Sequence, residues 1–449
     1  MKISKKNLDQ EVAIVGFGYV GLTLGVALAD SGLKVTGLEI NPDIVNSTNK
    51  AVPHFKERGL DIVLKRVVDD GLLLATENPE DLRKASVFFI TVGTPINSNG
   101  EINLESIENA SHQVANIMPE DSLIIYRSTM KVGTARNIVK PIIESYGKSF
   151  RLAVCPERTL EGKALEELRF LPQIIGGFDE IARARATKIF DKITKKTINV
   201  SSPETAEVIK LVDNTYRDIQ FAFGNEVATL CNGIDGVNAG EVVRLGKMGY
   251  ERTNVASPGL VGGPCLSKDP HILFKSAETN GIQMNLTKAA RDLNESMPKI
   301  AAEYISKKLK SIPNPKITIA GFAFKGTPET DDLRGSMSIE VMKALKNEMP
   351  KCSFRIFDPI VDSQKLKNFS NRVYKNFDKS ISDSNALIIC NNHDFFSSNN
   401  LRTMLSSNNK IKLVYDFWNN FDYLDLSQKK ELNYVTFGNH WILGEEKDK

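Results

Sequence analysis

Short apolar runs alternate with helical stretches along the first 200 residues of the chain. The runs are rich in β-branched residues and end at Gly, Pro, Asn or Ser, which predicts strands at Val12–Val15, Val35–Glu39, Val87–Val92, Leu123–Tyr126 and Leu152–Val154. Strands that alternate with helices are typical of a doubly wound parallel sheet. We therefore predict an α/β domain over residues 1–200.

The pattern becomes helical from Ser201 onwards. Ser202 suits an N-cap and Pro203 the first helical position, and the predicted helix runs to about Cys231. A second helix-rich stretch covers about Lys268–Lys310. Much of the apolar packing of the long helix is expected from Leu211, Val212, Ile219, Phe223 and Val227. We predict a central helical domain over residues 201–311 that also builds a dimer.

The strand pattern returns after the proline-containing linker Ile312–Pro315. Strands are predicted at Ile317–Ala320, Phe354–Phe357, Ala386–Cys390 and Leu413–Tyr415. A second α/β domain over residues 312–449 fits this pattern. The predicted fold is thus α/β, with two Rossmann-like doubly wound domains joined by a central α-helical dimerisation region.

Composition and charge exclude several classes of protein. Hydrophobic residues make up 41% and charged residues 25% of the 449 positions, as in ordinary folded domains. The net charge of +3 disfavours nucleic acid or a membrane surface as partner, and no apolar run reaches the roughly 18 residues of a membrane span. Five Cys without a C-x-x-C pair, and five His without H-E-x-x-H, predict no disulfide framework and no metal site. A reducing, cytoplasmic location is expected.

A G-x-G-x-x-G motif follows the first predicted strand and precedes an apolar helix. Gly16 permits a tight turn, Gly18 lets the backbone approach a pyrophosphate, and Gly21 allows close packing of helix on strand. Tyr19 and Val20, inside the motif, are assigned to the same cofactor site. This context predicts a dinucleotide site, although a glycine-rich turn without a ligand remains the alternative.

Three further features belong to the predicted cofactor cleft. Glu39 ends the second strand, where a carboxylate can bind both ribose hydroxyls and repel a 2′-phosphate, which favours NAD over NADP. Thr94 follows the strand Val87–Val92, and Ser128 and Thr129 follow Leu123–Tyr126. Ligands of doubly wound folds bind at this edge of the sheet, although ordinary turn chemistry explains each segment alone equally well.

The stretch Val261–Pro270 predicts a nucleophile. Two glycines and a proline force a turn, and Cys265 then opens the next helix, where a thiol has a lowered pKa. Asp269 lies four residues later and shares the face of Cys265 if the helix is continuous. A buried, inert cysteine is the alternative. Cys155, Cys231, Cys352 and Cys390 lack such surroundings and are assigned to packing.

Two other pairs of polar residues, each four positions apart, could take part in binding or catalysis. Lys210 and Asn214 are four apart on the long helix and could hold an oxyanion, although a solvated helix face is the alternative. Glu157 and Glu161 follow the strand Leu152–Val154 and could flank a substrate. A surface helix start explains this second pair equally well.

Seven motifs in one order resemble the UDP-glucose/GDP-mannose dehydrogenase family. They are G-F-G-Y-V-G, V-G-T-P, R-S-T, P-E-R-T-L-E-G, K-L-V-D-N-T-Y, G-G-P-C-L-S-K-D and G-F-A-F-K-G-T-P-E-T-D-D-L-R. The resemblance extends from about Glu11 to at least Trp418. It implies an NAD-dependent, four-electron oxidation of the carbon-6 alcohol of a nucleotide sugar to an acid, by way of an aldehyde.

The resemblance also implies roles for individual residues. Cys265 matches the nucleophile that traps the aldehyde as a thiohemiacetal and then carries the thioester. Lys210 and Asn214 match the oxyanion-stabilising groups, and Glu157 matches a carboxylate near the sugar. The residues that order water or relay protons are matched by Asp269, Thr129 and Glu161.

Substrate contacts are implied in the same way. Lys325 matches the residue that reaches the sugar and phosphate, and Arg334 matches a position of the same loop. Arg252 is the best match to an arginine that the family supplies from the partner subunit of a homodimer. Arg158 and Gly262 complete the set assigned to a UDP-sugar.

Two departures bear on the identity of the sugar. Pro264 precedes the cysteine, and P-E-R-T-L-E stands at Pro156–Glu161, which looks more like the branch that oxidises UDP-N-acetylglucosamine or UDP-N-acetylmannosamine. UDP-glucose 6-dehydrogenase is the alternative. Two alternative hypotheses come from other functional classes: a two-electron hydroxyacid dehydrogenase and a non-catalytic nucleotide-sugar-binding protein.

Overall fold

The computed structural model describes residues 11–97, 99–397, 405, 410–420 and 433–440. These residues divide into two compact units. One contains the residues up to Asp213 and the segment His271–Gln283, and the other contains Asn214–Pro270 and the residues from Met284 onwards. The boundary after Asp213 falls inside a long helix, so that helix contributes residues to both units.

An eight-stranded sheet forms the centre of the first unit, in the order β3-β2-β1-β4-β5-β6-β7-β8. Its strands are β1 Glu11–Val15, β2 Lys34–Leu38, β3 Leu73–Thr76, β4 Val87–Ile90, β5 Ser122–Tyr126, β6 Phe150–Val154, β7 Gln173–Gly177 and β8 Thr197–Asn199. Neighbouring strands are parallel except β6 and β7. The predicted doubly wound parallel sheet is confirmed.

Helices cover both faces of this sheet. They are α1 Tyr19–Asp30, α2 Pro42–Asn49, α3 Leu60–Asp69, α4 Glu105–Ile117, α5 Lys140–Glu144, α6 Ala164–Phe170 and α7 Glu180–Phe190, with a π-helical turn at Ala135–Val139 and a 3₁₀ turn at Pro79–Leu82. Val12 and Ile14 belong to one core cluster, whereas Ala13 and Val15 belong to another. This alternation follows from the period of two along a strand, and it explains why β1 is apolar at successive positions.

The central region consists of α8 Pro203–Asn232, α9 Ala239–Gly246, α10 Gly263–Leu266, α11 Asp269–Glu278 and α12 Asn285–Lys308. The Ser202 hydroxyl accepts a hydrogen bond from the backbone N–H of Thr205 (3.1 Å), so the predicted N-cap is confirmed. One part of the prediction for α8 is wrong. Val212 and Phe223 were expected to contribute to the apolar packing of the helix, but in the single chain they are 45% and 52% exposed.

A six-stranded parallel sheet forms the second unit's α/β lobe, in the order β11-β10-β9-β12-β13-β14. Its elements are β9 Lys316–Ala320, α13 Met337–Glu348, β10 Ser353–Phe357, α14 Ser363–Leu366, β11 Val373–Tyr374, α15 Phe377–Ile381, β12 Ala386–Ile389, β13 Leu413–Asp416 and β14 Asn433–Thr436. All nine strands predicted from the sequence are present. The sequence pattern missed β3, β7, β8, β11 and β14, which are short or glycine-containing.

Two classes of feature have no example among the described residues. None of their helices combines the length and the hydropathy that a membrane span requires. No group of three or more His, Cys, Asp or Glu side chains in the same residues is arranged to hold a metal ion.

Candidate functional site

The turn after β1 has the geometry that a dinucleotide requires. Gly16 has a φ of +88°, which a side chain would strain. A Cβ atom at Gly21 would lie 2.1 Å from the Gly16 carbonyl oxygen, whereas a Cβ at Gly18 would meet no atom within 4 Å. The open space beside Gly18, directly before the start of α1, fits the pyrophosphate of NAD. The nicotinamide ring of NAD, when bound, accepts hydride.

Glu39 follows β2 and is fixed against this turn. One of its carboxylate oxygens accepts from the backbone N–H of Phe17 (2.9 Å), and the other accepts from that of Asn41 (3.0 Å). The side chain is therefore held at the carboxyl end of β2, where a ribose would lie. Tyr19 and Val20, in the first turn of α1, are both half-buried.

The segments after β4 and β5 are bonded to each other. The Thr94 hydroxyl donates to the carbonyl of Thr129 (2.8 Å), and the Ser128 hydroxyl donates to the carbonyl of Val92 (2.7 Å). Thr94 and Ser128 are buried, and Thr129 is half-buried. The three residues assigned to the cofactor rim therefore lie together, as the shared edge of β4 and β5 requires.

Arg127, which directly precedes Ser128, forms a buried ion pair. The Arg127 guanidinium donates to Glu157 (2.5 and 3.1 Å) and to the side chain of Gln173 (2.7 Å). Burial raises the pKa of Glu157, but the nearby Arg127, the backbone N–H of Thr159 and the Lys210 ammonium outweigh it, so that the pKa is lowered overall. Glu157 is therefore an ionised acceptor in the interior and does not start a surface helix.

The remaining residues of this segment are also held in place. Arg158 pairs with Asp213 (2.7 Å). The turn that carries Glu161 is fixed by Glu57, whose carboxylate accepts from the backbone N–H groups of Gly162 (2.7 Å) and Ala164 (2.9 Å). The hydroxyl of Tyr19 donates to the same carboxylate. Glu57 thus connects the nucleotide turn with the Glu161 turn.

Lys210 and Asn214 lie one turn apart on α8 and are only 8% and 7% exposed. The interpretation of this pair as a solvated helix face is therefore wrong. A lysine and an amide removed from water, on one helix face, are suited to stabilising developing negative charge.

Cys265 is the third residue of the four-residue helix α10 and is exposed. The interpretation of Cys265 as a buried packing residue is therefore wrong. The prediction that Cys265 and Asp269 share one continuous helix is also wrong. α10 ends at Leu266 and α11 begins at Asp269, because the chain turns at Ser267 and Lys268.

Glycines bring the cysteine turn into contact with another backbone. Gly263 has a φ of +92° and donates its N–H to the carbonyl of Gly335 (2.9 Å). A Cβ at Gly262 would lie 2.3 Å from the same carbonyl oxygen, and one at Gly263 would lie 2.4 Å from the Phe324 ring. The two glycines before the cysteine are therefore required by this packing.

Arg291, on α12, fixes the same turn from the interior. Its guanidinium donates to the carbonyls of Val261 (3.1 Å) and Leu266 (2.8 Å), on either side of Cys265, and pairs with Asp218 on α8 (2.6 Å). Both side chains of this ion pair are 1% exposed. Cys265 is thus presented by a turn whose two ends are bonded to one buried cation.

Asp269 is fully buried and its carboxylate has two side-chain donors. The Asn214 amide donates to one oxygen (2.6 Å), and the Lys268 ammonium donates to the other (2.8 Å). The structure therefore brings Asp269 and Asn214 together, although it does so through α8 and α11 rather than along one helix.

Three long side chains assigned to the nucleotide sugar, all in the second unit, are more accessible. Arg252 is exposed and its guanidinium lies 4.9 Å from the centroid of the Tyr250 ring. Lys325 is half-buried beside Phe324. Arg334 is exposed and pairs with Asp332 of its own loop (2.5 Å). These side chains are long enough to reach a ligand.

The other four cysteines are buried. Burial raises the pKa of the thiols of Cys155 and Cys390 to about 12, and it also raises the pKa of Cys231 and Cys352. Their assignment to packing is confirmed. A thiol with such a pKa contributes no thiolate near neutral pH.

Sequence reasoning missed the residues that hold these segments. Arg127 had a local signal, because it begins the R-S-T motif, but Glu57 and Arg291 had none. Glu57 bonds to residues 105 and 107 positions away, and Arg291 bonds to carbonyls 25 and 30 positions away. Such partners are not visible in local spacing.

Comparison with known proteins places the chain in a family. The models of the UDP-glucose/GDP-mannose dehydrogenase family match residues 10–194 with its NAD binding domain, 204–296 with its central domain and 318–423 with its UDP binding domain. A UDP-N-acetyl-D-mannosamine dehydrogenase from Campylobacter jejuni is 35% identical over 76% of this chain and 85% of its own length. One from Pyrococcus horikoshii is 32% identical over 90% and 94%.

Solved structures agree with these matches. The UDP-D-ManNAc dehydrogenase of Pyrococcus horikoshii has a TM-score of 0.85 at 30% identity and covers 96% of this chain and 99% of its own. The UDP-N-acetyl-mannosamine dehydrogenase of Staphylococcus aureus has a TM-score of 0.81 at 27% identity, with coverage of 96% and 99%. The chain therefore belongs to the UDP-glucose/GDP-mannose dehydrogenase family and is an NAD-dependent oxidoreductase of nucleotide sugars.

Proposed function

We propose that the protein oxidises the carbon-6 hydroxyl of UDP-N-acetylmannosamine to the carboxylate, with two NAD reduced per sugar. The exposed Cys265, on a turn bonded at both ends to the buried Arg291, carries this proposal. A two-electron dehydrogenase has no use for a presented thiol. The names of the relatives, which are 30–35% identical, favour the N-acetylmannosamine derivative over UDP-N-acetylglucosamine and UDP-glucose.

Each assigned residue has a step in this reaction. The Cys265 thiolate attacks the carbon of the aldehyde and forms a thiohemiacetal. This adduct becomes a thioester by loss of the hydride from its carbon, for which the second NAD would be the acceptor, and of the proton from its hydroxyl group. Lys210 and Asn214 stabilise the oxygen that becomes negative. Asp269, Thr129 and Glu161 order the water that hydrolyses the thioester, and the thiol is regenerated.

The substrate contacts are proposed on the same basis. Glu157, Arg158 and Gly262 contact the sugar. Lys325 and Arg334 contact the sugar and the phosphates, and Arg252 reaches the substrate of a partner subunit. The domains 1–200, 201–311 and 312–449 then bind the cofactor, present the thiol and bind the UDP moiety.

The test of this function is NADH release with UDP-N-acetylmannosamine, UDP-N-acetylglucosamine, UDP-glucose and GDP-mannose in parallel. We expect two NADH per sugar acid and the highest kcat/KM for UDP-N-acetylmannosamine. One NADH with a ketone product would instead indicate a two-electron dehydrogenase. Binding of all four without turnover would indicate a non-catalytic protein, and the highest kcat/KM for UDP-glucose would reassign the sugar.

We also propose that the protein forms a homodimer through α8. Five large side chains of this helix, at spacings of four or seven, are between 36% and 63% exposed: Val208, Val212, Tyr216, Phe223 and Leu230. Exposed apolar stripes of this kind mark protein interfaces. A second copy of the same helix has a matching apolar stripe, as a two-fold interface requires.

Replacement of Tyr216 by glutamate is expected to halve the particle mass in solution, because it places a charge within the apolar stripe. Light scattering after gel filtration measures this mass. The matched control is Leu286→Glu on α12, where the leucine is 68% exposed. An unchanged mass for Tyr216→Glu, or the same loss for both variants, would argue against α8 as the interface.

The state of the cysteines indicates the cellular compartment in which the protein works. All five are free, and four of them have thiols with raised pKa values in the interior. We propose that the protein works in the reducing cytoplasm, where Cys265 stays a thiol.

A further inference from the structure

A buried carboxylate on α8 holds the segment that follows β5. Glu207 is 3% exposed. One of its oxygens accepts from the backbone N–H of Gly133 (2.6 Å), and the other accepts from that of Ala135 (3.0 Å). Two backbone donors on one carboxylate fix both its position and theirs.

The backbone held in this way follows directly on the assigned residues Ser128 and Thr129, which lie five and four positions before Gly133. It is also held at Val132, whose backbone N–H donates to the Ser276 hydroxyl (3.2 Å). Gly133 has a φ of +87°, and a Cβ there would lie 2.9 Å from the Asn137 amide nitrogen. The backbone at residues 132–135 therefore has little freedom while Glu207 is in place.

Glu207 lies three residues before Lys210, so both side chains lie on nearly the same side of α8. We propose that Glu207 is a positioning residue, which sets the place of the Thr129 segment relative to the helix that carries Lys210. The inference rests on the roles proposed above for Thr129 and Lys210. Glu207 itself touches neither substrate nor cofactor in this proposal.

The charge of Glu207 makes this function dependent on pH. Burial raises its pKa to about 7, although the bonds from Ala135 and Gly133 oppose the shift. The charged groups that act on it are Glu204, which raises the pKa, and Arg136, which lowers it. Only the ionised form accepts at both oxygens, so protonation below about pH 7 removes one of the two bonds.

The same pKa sets the sign of the effect on stability. A carboxyl with a raised pKa in the folded state contributes stability that is full below its unfolded pKa of about 4.3 and is lost as the pH rises through about 7. Above pH 7 the buried, ionised carboxylate of Glu207 therefore lowers the free energy of unfolding. A substitution that removes the charge removes this destabilisation. We expect Glu207→Gln to keep or raise the melting temperature at pH 8.5.

The catalytic effect of Glu207→Gln is expected to be the opposite. Glutamine has the same shape but accepts at one oxygen only, so kcat should fall about 10- to 100-fold, with KM for NAD and sugar changed less than about twofold. The wild type should lose kcat below about pH 7, and this limb should be absent from the variant. The control is Glu204→Gln, one turn earlier, where the carboxylate pairs with the side chain of Arg136 and not with the backbone N–H groups of Gly133 and Ala135. At pH 8.5, where Glu207 is ionised in both proteins, its kcat should match that of the wild type.

Hydrogen exchange on the wild type tests the contact without any substitution. The amides of Gly133 and Ala135 should lose protection between pH 8 and pH 6, after correction for the intrinsic rate. Constant protection, a wild-type kcat and pH profile in Glu207→Gln, or an equal loss in Glu204→Gln would overturn the inference. Failure of the proposed function would differ from these results, because the wild type itself would then not release two NADH per sugar.

Discussion

Cys265→Ala is expected to abolish formation of the sugar acid, with a loss of at least about 1,000-fold in kcat. The second oxidation needs a tetrahedral adduct, because an aldehyde has no hydroxyl hydrogen to lose until a nucleophile has added to its carbon, and Cys265 is the nucleophile in this proposal. Cys265 is the one exposed cysteine of the five, all of which lie in described residues. No neighbouring thiol can therefore replace it.

The measurement is the amount of NADH and of acid formed per sugar, with and without an aldehyde trap. The variant should release no more than one NADH per sugar, and the trap should capture aldehyde. Cys231→Ala is the control, since the Cys231 thiol is buried and its pKa is raised. It should keep two NADH per acid. Acid formation at the wild-type rate in Cys265→Ala would refute the role of Cys265.

Iodoacetamide gives an independent count of reactive thiols. The native wild type should take up one label per chain, at Cys265, whereas Cys265→Ala should take up none. The four other thiols are protected by burial and by their raised pKa values.

Arg291→Met is expected to have the largest effect on stability, about 3–5 kcal/mol in the free energy of unfolding. The substitution leaves the carboxylate of Asp218 in the interior without its cation, and both side chains are 1% exposed. It also removes the donors to the carbonyls of Val261 and Leu266. The turn that presents Cys265 should therefore lose its order at a lower urea concentration than the rest of the protein.

Urea unfolding measures this loss, and the same helix supplies the control. Lys288 lies one turn before Arg291 on α12. It pairs with Asp292, and the two side chains are 61% and 58% exposed. Lys288→Met should change the free energy of unfolding by less than about 1 kcal/mol. Adding Asp218→Asn to Arg291→Met should recover part of the loss, since the stranded charge is then gone. Equal effects of Arg291→Met and Lys288→Met would contradict this account of the ion pair.

Local spacing predicted the parts of the site that depend on the backbone alone. The three glycines after β1 have the turn, the open approach and the close packing expected of them, because each requirement is met within six residues. The cap of α8 by Ser202 was also visible, since its partner Thr205 is three residues away. Central strands such as β1 and β4 were visible because both of their faces are buried.

Other predictions failed where a neighbour from elsewhere in the chain decides the structure. Spacing alone placed Asp269 beside Cys265 on one helix, but the helix is interrupted and Asp269 bonds to Asn214 of α8. Val212 and Phe223 are apolar, yet they are exposed on α8 in the single chain. The short strand β11 has no strong pattern of its own, because its pairing with β10 supplies its bonds.

The sequence by itself determined the two doubly wound α/β domains, the nucleotide turn and the order of the chemical motifs, because strand periodicity, glycine conformation and capping act over a few residues. Only the tertiary structure decided which buried groups hold the reactive segments: Glu57, Glu207 and Arg291 bond to backbone between 25 and 107 positions away. A buried charge needs partners, and the fold supplies them from whatever part of the chain is nearest in space, irrespective of distance along the sequence.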